Sequence, residues 1–191
     1  VADPFALLSL QTQVGEIVEQ AHDLCDGLSQ EAFNWRPPFR WSVGQCLIHL
    51  NLTTEEMLKG LQNALPLLHH PAAPPHYPAW ERWLVSLEEP PPKVRLPTVS
   101  QLKPQPETPQ QKGQVLEEFM ALRNRLLVLG QQSEGLDWGR NKIPFPLLPA
   151  LRVSWGSALA FALAHDRRHL YQAGLVLAHS GFPTQGEIAA E

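Results

Sequence analysis

The segment His165-Asp166-Arg167-Arg168-His169 places two histidines four residues apart in a stretch with helical periodicity. On a helix such a pair lies one turn apart on one face, so both imidazoles can converge on a single ion. Neutral imidazole suits zinc, nickel, copper or iron, and two ligands alone make a weak site. Alanines 158, 160, 162 and 164 precede the pair, so this helix enters the fold as an apolar rod. Polar atoms close to such a core need partners. A bound ion would supply them, and so would hydrogen bonds to backbone or water; spacing alone leaves both readings open.

A third ligand must come from elsewhere among the eight histidines. His22 lies on the opening helix, and His69, His70 and His76 fall in a proline-rich stretch where solvent is the default surrounding. His179 is almost three turns past His169, too far for one ion. His49, between Ile48 and Leu50 and beside an apolar stripe, is the best candidate, although alone it reads as a core histidine. Cys46, three residues earlier, could also reach toward such a site. The residue after His165 is Asp166, about 100° from the ligand face, so a zincin-type general base is not indicated. Asp166, Arg167 and Arg168 are expected as solvated or bundle-edge charges, with Arg168 alternatively binding an anionic substrate. Gln172, three residues past His169, could orient a ligand or substrate, or be plain helix surface.

Four segments have the period needed to carry these residues. The first runs from about Pro4 to Gly27, with Asp3 as N-cap, Pro4 at the first helical position and Gly27 as its stop. Leu7, Leu10, Val14, Ile17, Val18, Ala21 and Cys25 form its apolar stripe. After a connector from Leu28 to Trp41, Ser42 and Gln45 form a capping box that opens a second helix closed by Pro66. The third runs from about Lys112 to Leu129, with Gly130 as its stop. The fourth runs from about Ser154 to Ser180, with Gly181 expected as a left-handed cap and Pro183 beyond it. Residues Pro66 to Pro109 hold twelve of the nineteen prolines. No long helix can cross this stretch, though Ala79 to Leu87 can form a short one. It reads as a surface excursion or as a flap over a site. A second irregular stretch spans Gln131 to Val153, and no strand-like alternation is visible. Four such helices imply one all-α domain over residues 1–191, an antiparallel four-helix bundle with a long proline-rich inter-helix excursion.

Composition narrows the function classes. The formal net charge is −4 and the basic residues form no stripe, so nucleic acid is not an expected partner. No apolar run nears the roughly 20 residues that span a bilayer. Asp3 and Pro4 interrupt anything resembling a signal peptide, and Cys25 and Cys46, two cysteines with no CxxC spacing, are not a disulfide framework. A cytoplasmic location with both cysteines as small buried hydrophobes is expected.

The order Trp35-Arg36-Pro37, Trp41-Ser42, His49-Leu50, then His165-Asp166-Arg167-Arg168-His169 with Gln172, and finally Gly181-Phe182-Pro183, resembles the DinB-like (DinB/YfiT) superfamily. The resemblance covers nearly the whole chain. It implies an up-down-down-up four-helix bundle in which His49, His165 and His169 hold zinc or nickel. It assigns no functional residue to the proline-rich excursion. Three histidines with an open position describe a catalytic rather than a structural site. The superfamily includes bacillithiol S-transferases, a mycothiol-dependent isomerase and hydrolases. The resemblance therefore implies a metal-dependent enzyme that activates a low-molecular-weight thiol or water for attack on a small electrophile. Arg168 and Gln172 are its candidate catalytic residues, and a homodimer is compatible with it. A non-catalytic, stress-associated metal-binding or scaffold protein is the alternative, and a haem pocket a weaker one.

Overall fold

Ser42 and Gln45 exchange hydrogen bonds as a capping box: the Ser42 hydroxyl accepts from Gln45 N at 3.0 Å, and Gln45 Oε1 accepts from Ser42 N at 3.1 Å. They open the second long helix of the computed structural model, which describes residues 7–73, 76–93, 100–105 and 109–183. The α-helices among them are α1 (Leu7–Cys25), α2 (Gln30–Asn34), α3 (Val43–Ala64), α4 (Ala79–Ser86), α5 (Lys112–Gln132) and α6 (Trp155–Leu177). The proposed cap at Asp3 and Pro4 lies outside the described residues.

The protein is mostly helical, with one small sheet. Helix α3 packs against α5 and α6, and α1 packs against the same two. The apolar stripes read from the sequence meet in one core: Leu10, Val14, Ile17, Ala21 and Cys25 from α1, Leu47, Leu50, Met57, Leu58 and Leu61 from α3, Phe119, Leu122 and Leu126 from α5, and the alanine-rich start of α6. Burying a leucine side chain in such a core contributes about 1.5–3 kcal/mol.

Several expectations are corrected. The stretch from Gln131 to Val153 contains an antiparallel hairpin, β1 (Lys142–Phe145) and β2 (Leu148–Ser154), paired Lys142 to Ser154 and Ile143 to Val153. Prolines 144 and 149 argue against strands, but a two-stranded ribbon has outer edges where no N–H is needed. Gly130 does not stop α5. It is buried within the helix, which runs on to Gln132, and Gly135 takes the left-handed conformation instead, with φ +81°. Gly27 does end α1, with φ +67°. Gly181 is not left-handed; α6 ends at Leu177, where the Ala178 N–H bonds back to Gly174 O.

Asp166 is not a solvated charge. It is fully buried and binds the buried guanidinium of Arg123 from α5 through both oxygens. Arg123 also donates to Asn51 Oδ1 of α3 at 3.0 Å and lies over the Phe119 ring at 3.5 Å. Paired and hydrogen-bonded, these charges bear burial and tie α3, α5 and α6 together beside His165.

Candidate metal centre

Helix periodicity delivers three imidazoles to one point. His165 and His169 share a face of α6, and His49 faces them from α3; one nitrogen of each lies within 4.8 Å of the others. His49 and His169 are buried and His165 is half-buried. Ring packing fixes their planes. Trp41 stacks on His169 with centroids 5.7 Å apart and tilts against His49 at 4.9 Å, while Phe161 stacks on His165 at 6.0 Å.

Tautomers follow from the partners. Nδ1 of His49 lies 2.7 Å from the Leu102 carbonyl, which can only accept, so this nitrogen carries the proton. Nδ1 of His165 donates to Glu88 Oε2 at 3.0 Å. Burial would raise the Glu88 carboxyl, but the hydrogen bond from His165 and the nearby charge of Arg168 hold it below its usual range, so it accepts as a carboxylate. With both rings neutral, both Nε2 atoms present lone pairs, and they face each other at 3.1 Å. Such a contact is repulsive unless a cation or a shared proton lies between. Burial, and next the neighbouring His165, push the His49 imidazole down to about 4, so His49 does not itself supply that proton. Two nitrogens at 2.0–2.1 Å from one tetrahedral ion are separated by about 3.3 Å, close to the spacing found.

His169 fits the same demand. Its Nδ1 is buried with no hydrogen bond. Burial, then repulsion from His165 and His49, drive its pKa far below that of free histidine, with Gln172 partly opposing the shift. A buried ring nitrogen left without a partner is costly unless something satisfies it. The set could hold a metal ion, and its imidazole donors would be neutral, as metal ligands require.

The proline-rich excursion reaches this centre. Helix α4 packs along α6, and the segment after it supplies Glu88 and Glu89. Glu88 bonds to His165 and sits 3.7 Å from Arg168 Nε, while Glu89 pairs with Arg167. Arg168 is buried and donates to the Leu87 carbonyl at 2.9 Å. Leu102 comes from a 3-10 turn over Ser100–Leu102. At its other end α4 buries the Glu81 carboxylate at the start of α6, where it accepts from Lys142 Nζ at 2.6 Å, Ser154 Oγ at 2.5 Å and Ser157 Oγ at 2.8 Å. A carboxylate there also meets the positive end of the helix dipole.

Among the described residues, no fourth histidine, cysteine or carboxylate joins the three-histidine group. Cys46 does not belong to it, and burial pushes its thiol up to about 12. His22, His69, His70, His76 and His179 lie apart from it. Glu88 and Leu102 were not legible as site residues because their contacts join positions 77 and 53 residues apart.

The family model of the DinB superfamily matches residues 16–173. This chain belongs to the DinB superfamily. The match takes in His49, His165, His169 and Gln172, together with the excursion that carries Glu88 and Leu102. No curated protein and no solved structure matches this DinB-superfamily chain. Among its described residues no helix is long and apolar enough to cross a membrane.

Proposed function

We propose that His49, His165 and His169 hold one divalent ion, zinc or nickel. The chain is then a metal-dependent enzyme of thiol S-transferase or hydrolase type, built on the superfamily's up-down-down-up four-helix bundle. The observation that carries the metal reading is the 3.1 Å approach of two Nε2 atoms whose Nδ1 neighbours are already held by Leu102 and Glu88, with His169 beside them. When bound, an ion held by three imidazoles supplies a Lewis-acidic position that lowers the pKa of a thiol or water. Glu88 and the Leu102 carbonyl hold the tautomers that aim His165 and His49. Trp41 and Phe161 fix ring planes and keep one side of the centre apolar. Gln172, beside His169, orients a ligand, and Arg168 steadies Glu88. A low-molecular-weight thiol as co-substrate follows the superfamily resemblance.

Elemental analysis of protein purified without added metal should find about one zinc or nickel per chain. His49→Ala and His165→Ala should each lower affinity in a chelator competition. No metal and no binding on titration would overturn the reading. A loaded protein that binds thiols but consumes no electrophile would favour a metal-binding scaffold.

A further inference from the structure

The connector between α2 and α3 carries a second chemical feature that the three histidines do not use. Residues Arg36, Pro37, Pro38, Phe39, Arg40 and Trp41 line a cleft of about 520 Å³. Trp41, one of these six, also packs on His169 and His49. Arg36 and Arg40 in the same lining are both exposed, and neither guanidinium has an ion-pair or hydrogen-bond partner among the described residues. Two unpaired cations four residues apart stand out in a chain whose formal net charge is −4.

Phe39 between them is unusual in two ways. Its side chain is fully exposed, at 107 %, and its backbone is left-handed with φ +60°. A bulky aromatic residue is rarely found there, because its Cβ crowds the following carbonyl. No side-chain packing offsets this, since the ring is fully exposed. The Arg40 N–H to Pro37 carbonyl bond at 3.2 Å and the two prolines hold the turn in shape. Strain kept at an exposed tip is a mark of a ligand-contacting position.

We propose that this cleft is an anion subsite of the metal centre: Arg36 and Arg40 bind the carboxylates of a small anionic substrate, Phe39 and Trp41 cover its carbon skeleton, and Trp41 hands its reactive end to the histidines. Guanidinium groups recognise carboxylates in planar, paired geometry, and flanking aromatic faces favour ligands with an apolar stem. The inference rests on the metal-centre reading and names the substrate class for it: a small carboxylate-bearing molecule, with the thiol as its reactive group in the S-transferase case.

The test measures, by calorimetry on zinc-loaded protein, the affinities of mercaptosuccinate (a dicarboxylate thiol), 1-thioglycerol (a neutral thiol) and succinate (the dicarboxylate alone). Wild type should prefer mercaptosuccinate over thioglycerol on the order of tenfold, the sum of two exposed charge pairs. Arg36→Gln/Arg40→Gln should erase that preference and leave thioglycerol affinity unchanged; the altered side chains are exposed, so folding is retained, checked by circular dichroism. Equal affinities in wild type, or a preference that survives the double substitution, overturns the subsite. If neither thiol binds but succinate does, and the double variant loses it, the anion subsite stands and the thiol reading falls. If none of the three binds, the subsite falls.

Discussion

Glu88 accepts the Nδ1 proton of His165 at 3.0 Å, across 77 residues of chain. This contact makes the proline-rich excursion part of the candidate metal centre. A carboxylate behind a ligating imidazole fixes its tautomer and raises its basicity, and losing such a partner typically costs 10–100-fold in metal affinity. Glu88→Ala should therefore weaken zinc binding by about that factor, while Glu88→Gln, which keeps an acceptor oxygen, should weaken it less. Competition with a chromophoric chelator measures both. Unchanged affinity in Glu88→Ala would remove Glu88 from the site.

Asp166 and Arg123 form the pair most exposed to a single substitution. Both are fully buried, and Arg123 is further held by Asn51. Breaking a buried pair leaves an uncompensated charge and costs about 3–5 kcal/mol. Asp166→Ala should lose stability on that scale in urea unfolding. Lys59→Ala, which removes an exposed pair with Glu55 and Glu56, should lose no more than about 1 kcal/mol. A loss below that of Lys59→Ala would show that the pair is not the tie between α3, α5 and α6.

Local chemistry in the sequence foretold the helices well and the contacts between distant segments poorly. Ser42 and Gln45 mark a helix start because the capping box is complete within four residues. The spacing of His165 and His169 forces a shared face. Nothing local to Asp166 marks it as buried, because its partner Arg123 is 43 residues away. The hairpin leaves no local signal because its prolines sit in a two-stranded ribbon, and Gly130, a stop by local chemistry, is carried past by the core packing of α5. His49 needed the superfamily resemblance, since a lone histidine beside an apolar stripe says nothing about what faces it.

Glu81 gives the fold an acid-sensitive contact far from the histidines. Burial alone would raise its carboxyl pKa, but hydrogen bonds from Lys142, Ser154 and Ser157 overcome this and hold it below its ordinary 4.5. The unfolded chain therefore takes up the proton first. The stabilisation is complete above pH 4.5 and is lost as pH falls from there through the lower folded value. Glu81→Gln should destabilise the protein at pH 7 by about 1–3 kcal/mol and make its urea midpoint less steeply dependent on pH below 4.5 than that of wild type. Parallel pH profiles for the two proteins would show that Glu81 is not held as a carboxylate at the start of α6.

Cys25 and Cys46 should be inert in the folded protein. Both are buried, and burial pushes their thiols up to about 11 and about 12 respectively, with the charge of Lys112 partly offsetting the shift at Cys25. The thiolate is the reactive form, so at pH 8 almost none is present and reagent cannot reach it. Native protein treated with a disulfide-exchange reagent should react only at the rate of opening, and added urea should accelerate both cysteines together. The metal-free protein should show the same resistance, because neither sulfur belongs to the three-histidine group. Rapid labelling of Cys46 on metal removal, with Cys25 still protected, would place that thiol at the centre and make it a ligand.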